Sequence, residues 1–254
     1  MVLETNDLTK KFGGLTAING VDFSIDKGKI NAIIGPNGAG KSTYFNLITG
    51  VHRPSSGKVL FKGKDISGFP ANRIAKEGLS RTFQTTNLFE KATVFENVVV
   101  GHRVRTKSTL FDAIFRTKRE KKEEEKCKEK ALKVLEYVGL SEITDVVVAN
   151  ISQEEKKRVA FALALATDPE IVFLDEPTAG INPDETEKLS TLIEKMTHEG
   201  ITVCLIEHKM KMIMDIADKI MVLNYGEKIA EGNPEEIKSN DKVIKAYLGG
   251  AASA

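Results

Sequence analysis

Gly35-Pro36-Asn37-Gly38-Ala39-Gly40-Lys41-Ser42 satisfies the pattern G-x-x-x-x-G-K-[ST] at every fixed position. The apolar run Ile30-Asn31-Ala32-Ile33-Ile34 before it reads as a buried strand, and Thr43-Tyr44-Phe45-Asn46-Leu47-Ile48 after it reads as a helix. Glycines let such a loop curl so that several N–H groups point inward. The following helix adds the positive end of its dipole. Lys41 then supplies charge for the β- and γ-phosphates, and the Ser42 hydroxyl a ligand for Mg²⁺. Gly35, Pro36, Asn37, Gly38, Ala39, Gly40, Lys41, Ser42 and Thr43 are therefore the expected cradle of a nucleoside triphosphate.

The chain has 254 residues, enough for one α/β domain carrying an inserted lobe. A chain of this size buries roughly three-quarters of its unfolded surface and needs no staples. Lys and Arg number 37 against 36 Asp and Glu, so a net charge of +1 gives no electrostatic case for nucleic acid as a partner. The apolar runs are short; the longer ones, such as Ala160 to Ala166, fall well short of the ~18 residues that mark a membrane helix. Met1-Val2-Leu3-Glu4 is not the basic-then-apolar opening of a signal peptide. Cys127 and Cys204 have no metal-ligand spacing and read as reduced thiols of a cytosolic protein.

Outward from the loop, residues 2–30 read as short strands with turns at Lys11-Phe12-Gly13-Gly14 and Asp26-Lys27-Gly28, and 57–63 as a further strand. The charge run 116–130 leads into Ala131 to Val138. Glu124 and Lys128 lie four apart, which supports a solvated helix ending near Gly139. After residue 150 buried strands alternate with helices. Ile171 to Leu174, Ile201 to Ile206 and Ile220 to Leu223 are the strands; 185–198 and 209–217 are the helices. That alternation predicts a parallel sheet with crossover helices. Met210, Met212 and Met214 recur at period two and read as gap fillers and helix surface. The tail 249–254 reads as frayed.

Five further positions carry chemistry. Ile171-Val172-Phe173-Leu174 ends in Asp175-Glu176, two carboxylates at the strand edge where open α/β sheets bind ligands. Asp175 suits Mg²⁺, and Glu176 the polarisation of attacking water. His208, after Leu205-Ile206-Glu207, could bond the γ-phosphate or orient that water. Gln84, within Arg81-Thr82-Phe83-Gln84, could reach Mg²⁺ or water with its amide. Phe12 could stack on a base or equally be an ordinary core ring.

Taken together, these residues resemble the ATP-binding cassette family over about residues 3 to 248. The resemblance implies an α/β P-loop NTPase (RecA-like) parallel-sheet core with an N-terminal antiparallel β-subdomain and an inserted α-helical subdomain. It implies one ATPase domain over 1–254, with 1–87 and 166–254 as core and 88–165 as the helical part. Phe12 then takes the adenine-stacking position and 35–42 the Walker A loop. Gln84 takes the Q-loop position, Asp175 that of the Walker B aspartate, Glu176 that of the catalytic glutamate and His208 that of the switch histidine. Lys41, Gln84, Glu176 and His208 become the catalytic set, with Ser42, Gln84 and Asp175 as Mg²⁺ ligands. Glu77 to Gln84, Pro177 to Pro183, Leu223-Asn224-Tyr225-Gly226 and Val243 to Gly249 are similar to the branched-chain amino acid importer branch. ATP and Mg²⁺, transmembrane permease subunits, a second cassette and, indirectly, an extracytoplasmic solute-binding protein are the implied cofactors and partners. The implied location is cytoplasmic, at the inner face of the membrane. Lipopolysaccharide-export ATPases are near relatives of that branch. No Asn-Lys-x-Asp guanine-reading motif occurs, and no coiled coil or tandem cassette points to DNA repair or translation.

One stretch departs from the family. Its signature, Leu-Ser-Gly-Gly-Gln or close to it, reads Ile151-Ser152-Gln153-Glu154-Glu155 here. Ser152, expected to face a partner's γ-phosphate, remains, but both glycines are gone. Glu154 is expected to set a negative charge beside an anion, at roughly 3–4 kcal/mol for one charge pair at an effective dielectric of about 20. Ser152 and Glu155 form a capping-box pattern. A nucleotide-gated subunit with weak turnover is therefore an alternative to a fully active ATPase. Asn182 also stands where many family members carry Asp.

Overall fold

Two sheets carry the chain in the computed structural model, which describes residues 1–82, 88–108, 112, 115 and 117–249. In the first, β1 (Leu3–Phe12) pairs antiparallel with β2 (Leu15–Ile25) about a turn at Gly13, where φ is 56°. The expected series of short strands over 2–30 is corrected to these two long ones. Their register shifts between Thr5 and Leu8 and again beyond Leu8 absorb the polar interruptions Asn6-Asp7 and Asn19-Gly20 as bulges. β4 (Ser56–Phe61) pairs with β1, and β5 (Lys64–Asp65) closes the order β2-β1-β4-β5.

The second sheet runs β10-β9-β3-β8-β7-β6. Its members are β3 (Ile30–Ile34), β6 (Leu79–Thr82), β7 (Ile171–Asp175), β8 (Thr202–Ile206), β9 (Lys219–Asn224) and β10 (Glu227–Gly232). All are parallel except β10, which lies antiparallel to β9. Every residue of β3, β7 and β8 is buried, as continuous apolar runs require when both faces are covered.

Alternate residues of these strands serve two cores. Ile33, Phe173, Cys204 and Ile206 pack with Tyr44, Phe45, Leu47 and Ile48 of α1 (Lys41–Ile48) and with the antiparallel sheet. Phe45 meets Phe173 edge-on, with ring centroids 5.2 Å apart. On the other face Ala32, Ile34, Val172, Leu174 and Leu205 pack beneath the later helices. Both cysteines are free and buried, one in each half of the fold.

α2 (Ala71–Glu77) leads into β6. Three helices then pack on one another: α3 (Val94–His102), α4 (Lys118–Tyr137) and α5 (Gln153–Leu165). α4 carries the charge run on its solvent side, including a Glu124–Lys128 pair at 2.7 Å, and Gly139 closes it at φ 72°. α6 (Pro183–His198) starts on Asn182, whose side chain accepts from the Glu185 amide while Glu185 accepts from the Asn182 amide. That cap gives a local reason for Asn182. α7 (Met210–Ile216) buries Met212 and half-buries Met210 and Met214, in keeping with gap filling. α8 (Pro234–Lys238) and α9 (Asp241–Gly249) follow β10, and the tail 250–254 lies outside the described residues. Among the described residues no helix is long and apolar enough to cross a membrane.

Candidate nucleotide site

β8 lies between β3 and β7, so three strand ends meet on one edge of the parallel sheet. Ile206 is in register with Ile33 on one side and Asp175 on the other. The Gly-rich loop leaves β3, Glu176 leaves β7, and Glu207-His208 leave β8 at that level. Parallel strands with crossover helices force this convergence, since every C-terminal end points the same way.

The loop is held by close approach. Gly35 has φ 152°, and a Cβ there would stand 2.1 Å from the carbonyl oxygen of Leu223. Gly40 has φ 100°, and its Cβ would meet the Ala17 carbonyl oxygen at 2.7 Å and Ile18 Cδ1 at 2.8 Å. Gly38, at φ 78°, would place a Cβ in open space. Gly35 and Gly40 therefore seat the loop against β9 and β2, whereas Gly38 turns it toward the opening. Gly40 caps α1 without a side-chain bond, leaving the first-turn amides for an anion.

Lys41 is buried, and its Nζ donates to the carbonyl oxygens of Gly35 at 2.7 Å and Pro36 at 3.0 Å. Burial pulls its ammonium below the ordinary lysine range, and the charges of Glu176 and Asp175 oppose that pull. A buried cation beside open amides suits a polyanion.

Asp175 is 5 % exposed, and Arg81 of β6 donates to its Oδ2 at 2.6 Å. Arg81 also reaches Asn46 Oδ1 at 2.6 Å and Thr49 Oγ1 at 3.1 Å, tying α1 to the acid. Asp175 Oδ1 is buried with no hydrogen-bond partner among the described residues. A buried carboxylate oxygen without a donor is costly, and a hard cation is the partner it fits. Among the described residues no three His, Cys, Asp or Glu side chains cluster as metal ligands. That donor set fits Mg²⁺, which uses one or two protein oxygens and completes its shell with phosphate and water.

Glu176 adopts φ 49°, a left-handed conformation that costs a non-glycine residue of order 1–3 kcal/mol. Its amide donates to the Ile206 carbonyl oxygen at 2.9 Å, and its Oε1 lies 3.0 Å from His208 Nε2. Lys41, Ser42, Glu176 and His208 line one cleft of about 560 Å³. Phe12 forms its outer wall, half-exposed, edge-on to His52 and beneath the Lys10 ammonium.

Gln84 lies outside the described residues. Ser152 is at the start of α5 and does not line this cleft. Its hydroxyl accepts from the Glu155 amide at 3.2 Å, and its amide donates to Glu155 Oε2 at 2.7 Å, the expected capping box. Glu154 has a partner within its own helix: Arg158 Nε donates to Glu154 Oε1, and Arg158 also bonds the Val138 carbonyl oxygen at 3.2 Å. The i,i+4 spacing lays the carboxylate along the helix. Two backbone amides at the start of α5 are spent on the cap.

Arg81 and Tyr225 escaped the sequence reading as site residues. An arginine at a half-buried position of a short strand was the available signal for the first. Tyr225 is 86 % exposed in the β9–β10 turn, has φ 46°, and lines the cleft. Gly226 N beside it donates to the Ala39 carbonyl oxygen at 3.0 Å, so this turn buttresses the cradle.

A phosphate cradle between β3 and α1, with an acid ending a neighbouring parallel strand, defines a P-loop nucleoside triphosphatase. The model of the ABC transporter family matches residues 18–179, and the chain belongs to the ATP-binding cassette transporter family. A second model, for branched-chain amino acid ATP-binding cassette transporters, matches residues 227–253. The chain is 41% identical over 251 residues to the high-affinity branched-chain amino acid transport ATP-binding protein BraF of Pseudomonas aeruginosa, covering 98% of each. It is 40% identical to the corresponding LivG of Escherichia coli at the same coverage. A nucleotide-free ATP-binding cassette of an ABC transporter superposes with a TM-score of 0.85 at 36% identity, covering 97% of this chain and 98% of that one. An ATP-binding cassette in its ADP conformation gives 0.86 at 35%, covering 98% of each chain.

The two kinds of glycine predict different costs. Gly40→Ala, with backbone and side chain in the way, destabilises the fold by about 2–4 kcal/mol in urea unfolding. Gly38→Ala, strained only in φ, costs about 1 kcal/mol. Equal losses would contradict the close-approach reading.

Proposed function

We propose that this chain is the ATP-hydrolysing subunit of an importer for branched-chain or similar amino acids. The observation that carries the catalytic part is the convergence of Lys41, Ser42, Glu176 and His208 on one cleft, with the buried Asp175 immediately before Glu176 at the end of β7. The transport part is supported by what the relatives are named for.

The chain's residues divide the work. Loop amides and Lys41 hold the β- and γ-phosphates and stabilise charge developing on them. Glu176 accepts a hydrogen bond from the attacking water and directs it in line, with His208 fixing the carboxylate. Ser42 and Asp175 Oδ1 would hold Mg²⁺, with the Gln84 amide as a further ligand. The metal, when bound, supplies Lewis-acid neutralisation of phosphate charge. Phe12 offers its ring to the adenine, and Tyr225 lines the same cleft.

Residues 88–165 serve as the helical subdomain that docks onto transmembrane permease subunits at the inner face of the membrane. The rest is the catalytic core. A second cassette completes the ATP sites through its own signature loop, and an extracytoplasmic binding protein delivers the solute. Ser152 faces that second cassette's nucleotide. With side chains at Gln153 and Glu154 where the family signature carries glycine, and the Ser152 and Glu155 amides already committed, two copies of this chain make a poor hydrolytic pair.

Two measurements test this reading. Glu176→Gln keeps MgATP affinity within about threefold and lowers hydrolysis at least about a hundredfold, the scale of general-base loss. Retained hydrolysis would remove Glu176 from the mechanism. Replacing Gln153 and Glu154 by glycine raises the turnover of the chain on its own several-fold; unchanged turnover shows that the altered signature does not limit it.

A further inference from the structure

Behind the Glu176–His208 pair lies a second carboxylate, Glu207, that the phosphate chemistry leaves unused. It is 4 % exposed and sits where the chain leaves β8. Its Oε1 accepts from the Thr178 amide at 2.6 Å and from Thr178 Oγ1 at 2.6 Å. Its Oε2 accepts from the His208 amide at 3.0 Å. Thr178 is fully buried and stands two residues after Glu176. One carboxylate therefore ties the chain beyond β7 to the chain beyond β8, on either side of the reacting pair.

A buried cation completes the arrangement. Lys157, in the second turn of α5, is buried, and its Nζ donates to the carbonyl oxygen of Glu176 at 3.4 Å. Burial lowers its pKa, opposed most by Glu207, then by Glu176 and Asp175. Buried carboxylates are tolerated when hydrogen-bonded, and this one accepts three bonds.

The strain at Glu176 gives the brace something to hold. At φ 49° the backbone gains by relaxing, and relaxation would swing the carboxylate off His208. Ile206 restrains the amide of Glu176 and Lys157 its carbonyl, while Glu207 restrains the next turn through Thr178. The same Glu207 fixes the amide of His208, whose half-exposed ring is aimed by its backbone. We propose that Glu207 is a positioning residue for the Glu176–His208 pair, acting through Thr178 while Lys157 holds the Glu176 carbonyl. Because Lys157 stands on the helix that Ser152 caps, a shift of α5 reaches Glu176 directly.

The inference rests on the assignment of Glu176 as the water-directing group, so the test carries Glu176→Gln as its reference. The full chain and its Glu207→Ala, Thr178→Val and Thr178→Ser variants are compared for kcat, KM, MgATP affinity and melting temperature. Glu207→Ala and Thr178→Val lower kcat roughly ten- to a hundredfold, the effect of misplacing a catalytic group. KM and nucleotide affinity change less than about threefold in both, since the phosphate cradle is untouched. Thr178→Ser, which keeps the hydroxyl, restores most of the turnover. An unchanged kcat in folded Glu207→Ala or Thr178→Val overturns the proposal, as does an equal fall in kcat and affinity or a failure of serine to rescue. If Glu207→Ala does not fold, the valine and serine pair decides. Retained turnover in Glu176→Gln removes the underlying reading and the brace with it; lost turnover there, with normal Thr178→Val, removes the brace alone.

Discussion

A lysine ammonium held out of water by its own loop is the constraint on which the rest of this structure turns. Lys41 has two carbonyl oxygens of the loop as partners, and open amides of α1 beside it. Neither the amides nor the ammonium can be satisfied by apolar packing, so the loop keeps its shape only through what surrounds it. Gly35 lies against the end of β9 and Gly40 against β2, so both sheets fix the cradle's walls. The antiparallel sheet is thus part of the phosphate site even though it donates no group to phosphate.

Charge at the sheet edge is balanced in the same economical way. Lys41, Arg81 and Lys157 approach from α1, β6 and α5; Asp175, Glu176 and Glu207 leave β7 and β8. Each carboxylate has a distinct environment. Asp175 shares one oxygen with Arg81 and keeps the other bare, Glu176 meets His208, and Glu207 is enclosed by hydrogen bonds. Identical chemical groups therefore take different roles because burial and neighbours differ. A cation entering at Asp175 Oδ1 would complete the set without displacing any bond made by the other two acids.

Much of the site was legible because its chemistry is local. A phosphate cradle needs glycines and a lysine at fixed spacing, and an acid after a buried strand needs only that strand. The capping box at Ser152 was readable for the same reason. Non-local contacts were not. Arg81 meets Asp175 because β6 lies beside β7, and Glu207 meets Thr178 because β8 lies on β7's other side; strand order is absent from a linear reading. The pairing of Glu154 with Arg158, one helical turn on, decides how much of that acid's charge remains, and the signature pattern alone does not show it. The first two strands read as fragments because bulges allow polar residues inside a long antiparallel pair. Phe12 and Tyr225 flank one opening from opposite ends of the chain, which no local pattern shows.

The central claim is that a buried ammonium and a ring of amides bind the triphosphate. Calorimetric titration of MgATP into the wild-type chain and Lys41→Ala tests it most directly. Removing a desolvated charge from a phosphate site costs about 2–5 kcal/mol, so affinity falls at least about thirtyfold while the melting temperature of the free protein holds. Equal affinity in the two proteins would contradict the account.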